Sequence, residues 1–185
     1  MGLLILGVAI FIAVHLIPCV PALRTSLVES LGAFAYKIIF GLIAIAGVVI
    51  IVLGFANAPF EPVYQPPEWG RSVTLTVVPL AFILFAASKM STHIRMFLHH
   101  PMLIGLMLFA AAHLAVNGDL RSVILFGGLG AYATIATISS VAQGKKPDAM
   151  KPPRLAMDAA AVVIGLALTG IIAFFHFALF GMPVV

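Results

Sequence analysis

Six apolar segments constrain this chain more than any other feature: approximately Gly2–Val20, Ala35–Ala56, Val73–Ser88, Pro101–Val116, Leu120–Val141 and Leu155–Gly181. A helix needs about 20 predominantly apolar residues to cross a hydrocarbon core of about 30 Å, so the third and fourth are short, with ends that are interfacial or deeply buried. Only 9% of the 185 residues are charged and 63% are hydrophobic. Soluble domains carry about 25% charged residues. Length and composition together predict one integral membrane domain over residues 1–185, an all-α, polytopic transmembrane bundle of about six spans. Gly41, Gly47 and Gly54, Gly127, Gly128 and Gly130, and Gly165 and Gly170 recur inside the spans, where small residues let helices approach closely.

A sequence pI near 9.6 would suggest nucleic acid in a soluble chain. Here the bases lie between spans, where they control topology, and no nucleic-acid partner is expected. The linkers after spans one, three and five hold Arg24 and Lys37; Lys89 and Arg95; and Lys145, Lys146, Lys151 and Arg154. Those after spans two and four hold only Arg71 and Arg121. Eight cations against two place the odd linkers in the cytoplasm and both termini in the periplasm of a bacterial inner membrane. The N-terminus has no basic region, so the first segment reads as a retained span. The outer linker Asn57–Arg71 carries four prolines, which forbid a regular helix, and Phe60, Tyr64 and Trp69, which suit the headgroup zone. It reads as an interfacial anchor or as a lid over a lipid-facing site.

Chemistry in such a chain rests on its histidines. His100 and His113 stand thirteen residues apart on a segment that Pro101 opens and Asn117-Gly118-Asp119 closes. Pro is favoured at a first helical position. Asn-Gly is expected to supply a positive φ, and Asp119 to cap the next helix. His113 then lies deep in the fourth span, where an ionisable side chain is a functional-site candidate. His15 lies late in the first span, His176 near the outer end of the sixth, and His93, His99 and His100 at the cytoplasmic face. Estimated depths separate His15 and His113 by roughly 9 Å along the membrane normal, and tilted helices can bring both rings to one iron.

Two neutral imidazoles inside a bundle suit haem b, whose iron takes axial histidines. Ala110, Ala111 and Ala112 leave room beside His113, Phe11 can pack on the His15 ring, and Arg24, Lys89 or Arg95 can pair with propionates. Satisfied core imidazoles and ordinary helix packing account for the same residues and stay open as the alternative. Cys19 alone makes no internal disulfide, no Cys-x-x-Cys-His exists for covalent haem, and no cluster has zinc-ligand spacing. The spans hold no nucleophile triad or carboxylate pair. Asp158 is expected at the start of the sixth helix, where its charge suits the dipole. Few polar residues beyond Thr74, Thr76, Thr134, Thr137 and Thr169 occur in the spans, which argues against a hydrophilic conduit.

His100-Pro101-Met102-Leu103-Ile104-Gly105, Ala112-His113-Leu114 and Asn117-Gly118-Asp119-Leu120 together resemble the signature of the NnrU family of bacterial membrane proteins. His15, Pro21-Ala22-Leu23-Arg24, Leu31-Gly32 and Tyr36-Lys37-Ile38-Ile39-Phe40-Gly41-Leu42 agree in order. The resemblance implies a link to nitrogen-oxide metabolism in denitrifying bacteria. It also implies kinship with plant 15-cis-ζ-carotene isomerases, haem-b membrane enzymes whose axial histidines fall on His15 and His113. A redox-gated isomerase acting on a lipid-soluble polyene is one implied activity, with His15 and His113 as catalytic and metal-binding residues. Two alternatives stand beside it. Membrane methyltransferases that bind S-adenosylmethionine share a His-Pro motif, but His99 replaces their preceding Arg, and Gln143–Asp158 has no Glu pair. A haem electron carrier, sensor or accessory subunit without catalysis is the other.

Overall fold

The computed structural model describes residues 1–146, 152–181 and 184. Eight α-helices account for most of them: α1 (Gly2–Leu16), α2 (Pro21–Leu31), α3 (Ala33–Asn57), α4 (Gly70–Ala87), α5 (His93–Leu98), α6 (Pro101–Leu114), α7 (Leu120–Ala142) and α8 (Leu155–Phe180). A single 3-10 turn, Ile17–Cys19, joins α1 to α2. There is no strand among the described residues, only one isolated bridge between Pro62 and Asp119. The six apolar segments are α1 with its 3-10 turn, α3, α4, α6, α7 and α8, displaced by only a few residues from the sequence-derived bounds.

Five of these helices are long and apolar enough to cross a membrane; α6 is the exception, with 14 residues. Its rise of about 21 Å falls short of a core of about 30 Å. Two devices make up the difference. At one end α5 packs beneath α4, α6 and α8. At the other the proline-rich linker lies over the α6–α7 turn: the Val63 and Tyr64 amides donate to the Gly118 carbonyl at 2.8 and 3.1 Å, and Leu120 donates to Glu61 at 2.8 Å. The linker is thus a strap pinned by its backbone, with Phe60 and Trp69 exposed on its outer side.

Loop-to-loop bonds sort the linkers between two ends of the bundle. At the strap end lie the linkers after α3 and α6. At the opposite, basic end the Ser139 hydroxyl and Lys145 ammonium bond the Cys19 and Pro18 carbonyls, and the Arg154 amide bonds Ser91. The helices therefore alternate in direction, as six crossings require. Lys151, counted among the basic-end cations, lies outside the described residues.

Packing is inside out relative to a soluble protein. The buried apolar residues are mostly alanines (Ala81, Ala87, Ala110, Ala112, Ala133, Ala136 and Ala161), while Phe34, Leu42, Ile45, Val163 and Phe174 face outward. Where lipid tails replace water, close approach of small residues holds helices together. On the α1–α3 contact a Cβ added at Gly54 would lie 2.5 Å from the Leu4 nitrogen, and one at Gly7 2.6 Å from the Ile51 nitrogen. Contacts run in the order α3, α1, α7, α6, α4, α8, so α1 and α6 are joined chiefly through α7.

The α6–α7 turn corrects one expectation. Gly118 does not adopt positive φ. It is needed because a Cβ there would collide with the Tyr64 carbonyl under the strap. Asp119 does cap α7 as expected, accepting from the Ser122 amide at 3.2 Å and hydroxyl at 2.7 Å. Asp158 stands in the first turn of α8, and its carboxylate also reaches α5, accepting from the His93 amide at 2.9 Å.

Gly54→Ala should destabilise the protein in detergent by about 1–3 kcal/mol, the cost of overpacking a tight contact. Gly41→Ala, whose Cβ meets nothing within 4 Å, should be neutral or slightly stabilising. Thermal melts of both variants check this, and equal behaviour would contradict the packing account.

Candidate functional site

His15 and His113 are built alike. In each, ring Nδ1 lies against the carbonyl four residues back: Phe11 at 2.7 Å for His15 and Phe109 at 2.8 Å for His113. A carbonyl can only accept, so Nδ1 carries a proton, and in a neutral ring the lone pair then lies on Nε2. A histidine fixed in this way is oriented as a metal ligand. The same phenylalanines flank the rings, at centroid distances of 4.1 Å in both cases. The local sequence is shared: Phe11-x-Ala13-x-His15-Leu16 and Phe109-x-Ala111-x-His113-Leu114. Phe11, Ala111 and both histidines of this shared pattern stand out in the sequence reading above, and Phe109 does not.

Other helices complete each setting. Phe40 of α3 and Tyr132 of α7 meet the His15 ring edge-on at 5.2 and 5.6 Å. Phe126 of α7 stacks on His113 at 4.4 Å, and Phe109 continues into Phe82 and Phe85 of α4. His176 of α8 lies within electrostatic reach of His113 and packs against Phe180 at 4.9 Å. Pairwise aromatic contacts across helices have no signature in a single sequence, so Phe40, Phe126 and Tyr132 were missed. The alanines beside His113 also have packing roles. Ala110 packs on α7 opposite Gly130, the Ala112 carbonyl accepts from Thr74 at 2.7 Å, and Ala111 faces outward.

Both histidines thus address α7, from its two neighbours. Their contact points, Phe126 and Tyr132, are six residues apart, or about 9 Å along the helix. Side chains lean toward the N-terminus of their own helix. Since α1 and α6 run in opposite directions, the two rings lean toward each other. One metal takes imidazole nitrogens at about 2 Å each, so a shared iron requires further convergence of α1 and α6 along α7. Donor type, neutral tautomer and apolar surroundings all suit haem b. So does the buried Tyr36 hydroxyl on α3, which has no hydrogen-bond partner beside the His15 aromatics. No group of three or more His, Cys, Asp or Glu side chains converges among the described residues.

The two arginines placed near a propionate fall in different sectors. Arg24 is on α2, which packs on α3 and the 3-10 turn below His15. Arg95 is on α5, among α4, α6 and α8. Neither forms an ion pair among the described residues. His100 occupies the N-cap position of α6 at the basic end, without a side-chain capping bond. Burial holds its imidazole below the usual histidine range, the neighbouring His99 and Lys145 add to this, and its bond with the Lys145 backbone opposes it.

Comparison with known proteins gives the family. The family model described as NnrU protein matches residues 3–184, nearly the whole chain, and the chain belongs to the NnrU family. No curated protein and no solved structure matches.

Because the folded pKa of His100 lies below the usual histidine value of about 6.5, the unfolded chain takes up this proton first as pH falls. The stability contribution is full above that value and is lost on acidification below it. The melting temperature in detergent should fall between pH 7.5 and 5.5, and His100→Gln should reduce that fall. An unchanged difference would refute the role.

Proposed function

We propose that this NnrU-family protein holds haem b non-covalently through His15 and His113 and acts on a lipid-soluble substrate within the membrane. The observation that carries the reading is the duplicated anchor: two imidazoles in apolar helices, each with Nδ1 committed to its own helix and Nε2 left as a donor. A structural histidine can be satisfied by one such bond. Two with the same tautomer, addressing one helix from opposite neighbours, support a shared ligand. Held by His15 and His113, haem b would supply a redox-active iron to the site.

The chain's own residues define how such a group would be used. Phe11, Phe40, Phe109 and Phe126 keep the imidazoles in apolar surroundings and exclude water. Arg24 offers a cation at the basic end on the His15 side. Most of the described span threonines turn back onto their own helices, as Thr134 does to Gly130 at 2.9 Å and Thr169 to Gly165 at 2.8 Å, while Thr74 bonds the Ala112 carbonyl of α6. A substrate dissolved in the bilayer, either a polyene or nitric oxide, suits that environment. The first would make the protein an isomerase like the ζ-carotene enzymes, the second a component of nitrogen-oxide metabolism.

The basic end carries Arg24, Lys37, Lys89, Arg95, Lys145, Lys146 and Arg154, which supports placing it in the cytoplasm of a bacterial inner membrane, with both termini periplasmic. Alkaline phosphatase, which is active only after export, should be active when fused after Val184 and inactive when fused after Lys146. The reverse pattern would overturn the orientation.

Detergent-purified protein expressed with ample haem should show a stoichiometric b-type spectrum that changes on reduction with dithionite. His15→Ala and His113→Ala should each lower haem content several-fold or shift the spectrum to that of a single axial imidazole. A colourless wild type, or haem unchanged in both variants, would overturn the assignment.

A further inference from the structure

Among the described residues, one buried side-chain polar atom lacks a hydrogen-bond partner: the hydroxyl oxygen of Tyr36. Buried polar groups in native proteins are nearly always satisfied, and an exception calls for an explanation such as a missing ligand. Tyr36 lies in the first turn of α3, one turn before Phe40, with ring centroids 6.1 Å apart. Phe40 in turn meets the His15 ring at 5.2 Å. Positions 36, 40, 47 and 54 share one helical stripe, and Gly47 and Gly54 of that stripe abut Phe11 and Leu4 of α1. Tyr36 therefore faces α1, one turn nearer the basic end than the phenylalanine that touches His15.

We propose that the Tyr36 hydroxyl donates a hydrogen bond to a carboxylate of the haem, the propionate on the His15 side. This rests on the haem reading above and gives Tyr36 a specific partner within it. A porphyrin ligated at His15 has an apolar ring and two anionic edges, and the edges belong toward the aqueous boundary. The basic end is the nearer boundary to His15, and Tyr36 stands between the two. A tyrosine supplies a donor without adding charge to an apolar site, and a carboxylate acceptor makes the bond charge-assisted. Arg24 on α2, the short helix packed against the start of α3, brings a cation to the same edge.

The test compares full-length wild type with Tyr36→Phe in lipid nanodiscs. Without haem, Tyr36→Phe should melt at or above the wild-type temperature, because it removes an unsatisfied hydroxyl; this also shows that the variant folds. With haem, it should keep the wild-type axial-ligand spectrum. It should lose haem to apomyoglobin roughly tenfold faster, as expected for losing a bond to a charged group. Its propionate bending mode in resonance Raman spectra should shift, and its midpoint potential should fall because the propionate charge is less neutralised. Haem dimethyl ester, which lacks the carboxylates, should leave both proteins at equal rates. If wild type takes up haem but Tyr36→Phe matches it in release rate and propionate mode, this assignment fails alone and an ordered water satisfies the hydroxyl. A wild type that takes up no haem overturns both readings.

Discussion

Hydrocarbon offers no partner to a polar group, and that constraint organises this molecule. Most span side chains that would bond water elsewhere turn back onto their own helix, Thr74 with its bond to the Ala112 carbonyl of α6 being an exception. Thr76, Thr134, Thr137 and Thr169 each donate to the carbonyl four residues earlier, and His15 and His113 do the same through Nδ1. For a threonine this ends the matter. A histidine has a second nitrogen, and satisfying the first fixes the tautomer and aims the other. The rule that makes the spans stable thus also turns two of their residues into oriented donors. Against that background the Tyr36 hydroxyl stands out.

The same constraint explains the ends. A 14-residue α6 cannot carry its termini to both membrane surfaces, so its end groups must be satisfied by protein. At the strap end the single Tyr64 hydroxyl proton has two carbonyls within reach, those of Leu114 and Asn117, the latter at 2.9 Å. The prolines of the strap suit this work, since they keep the linker extended and leave its few amides to bond Gly118. Arg121 pairs with buried Asp119 at 3.1 Å and lies 4.8 Å from the Phe55 ring, which keeps a cation beneath the strap without leaving it unpaired.

Much of this was legible because long apolar segments leave few choices. Residue counts placed the helices within a few positions, and Asp119 announced the cap of α7 by its type and place. The depth estimate for His15 and His113 agrees with their six-residue separation along α7. Less visible was anything that depends on two distant segments meeting. The α5 helix is too short to show a period, and besides its local Thr92 cap its first amides bond Asp158, 64 residues beyond Ile94. The role of Gly118 depends on the Tyr64 carbonyl, which no local turn rule includes. Phe126 and Tyr132 look like ordinary span residues until α7 is placed between α1 and α6.

That placement bears on why a ligand would be retained. The pair α3–α1 and the group α6–α4–α8 are each held by close helix contacts, and α7 is the element common to both. On α7, a Cβ at Gly128 would meet Val8 and Ile12 of α1, while one at Gly130 would meet Ala110 of α6. The two halves thus rest on opposite faces of one turn of α7, with a histidine from each nearby. A ligand taking a donor from each half would add a direct link where the protein has only an indirect one. Its binding energy would then include drawing the halves together, so affinity for the ligand and stability of the bundle become one linked quantity. A histidine that merely packed would carry no such linkage.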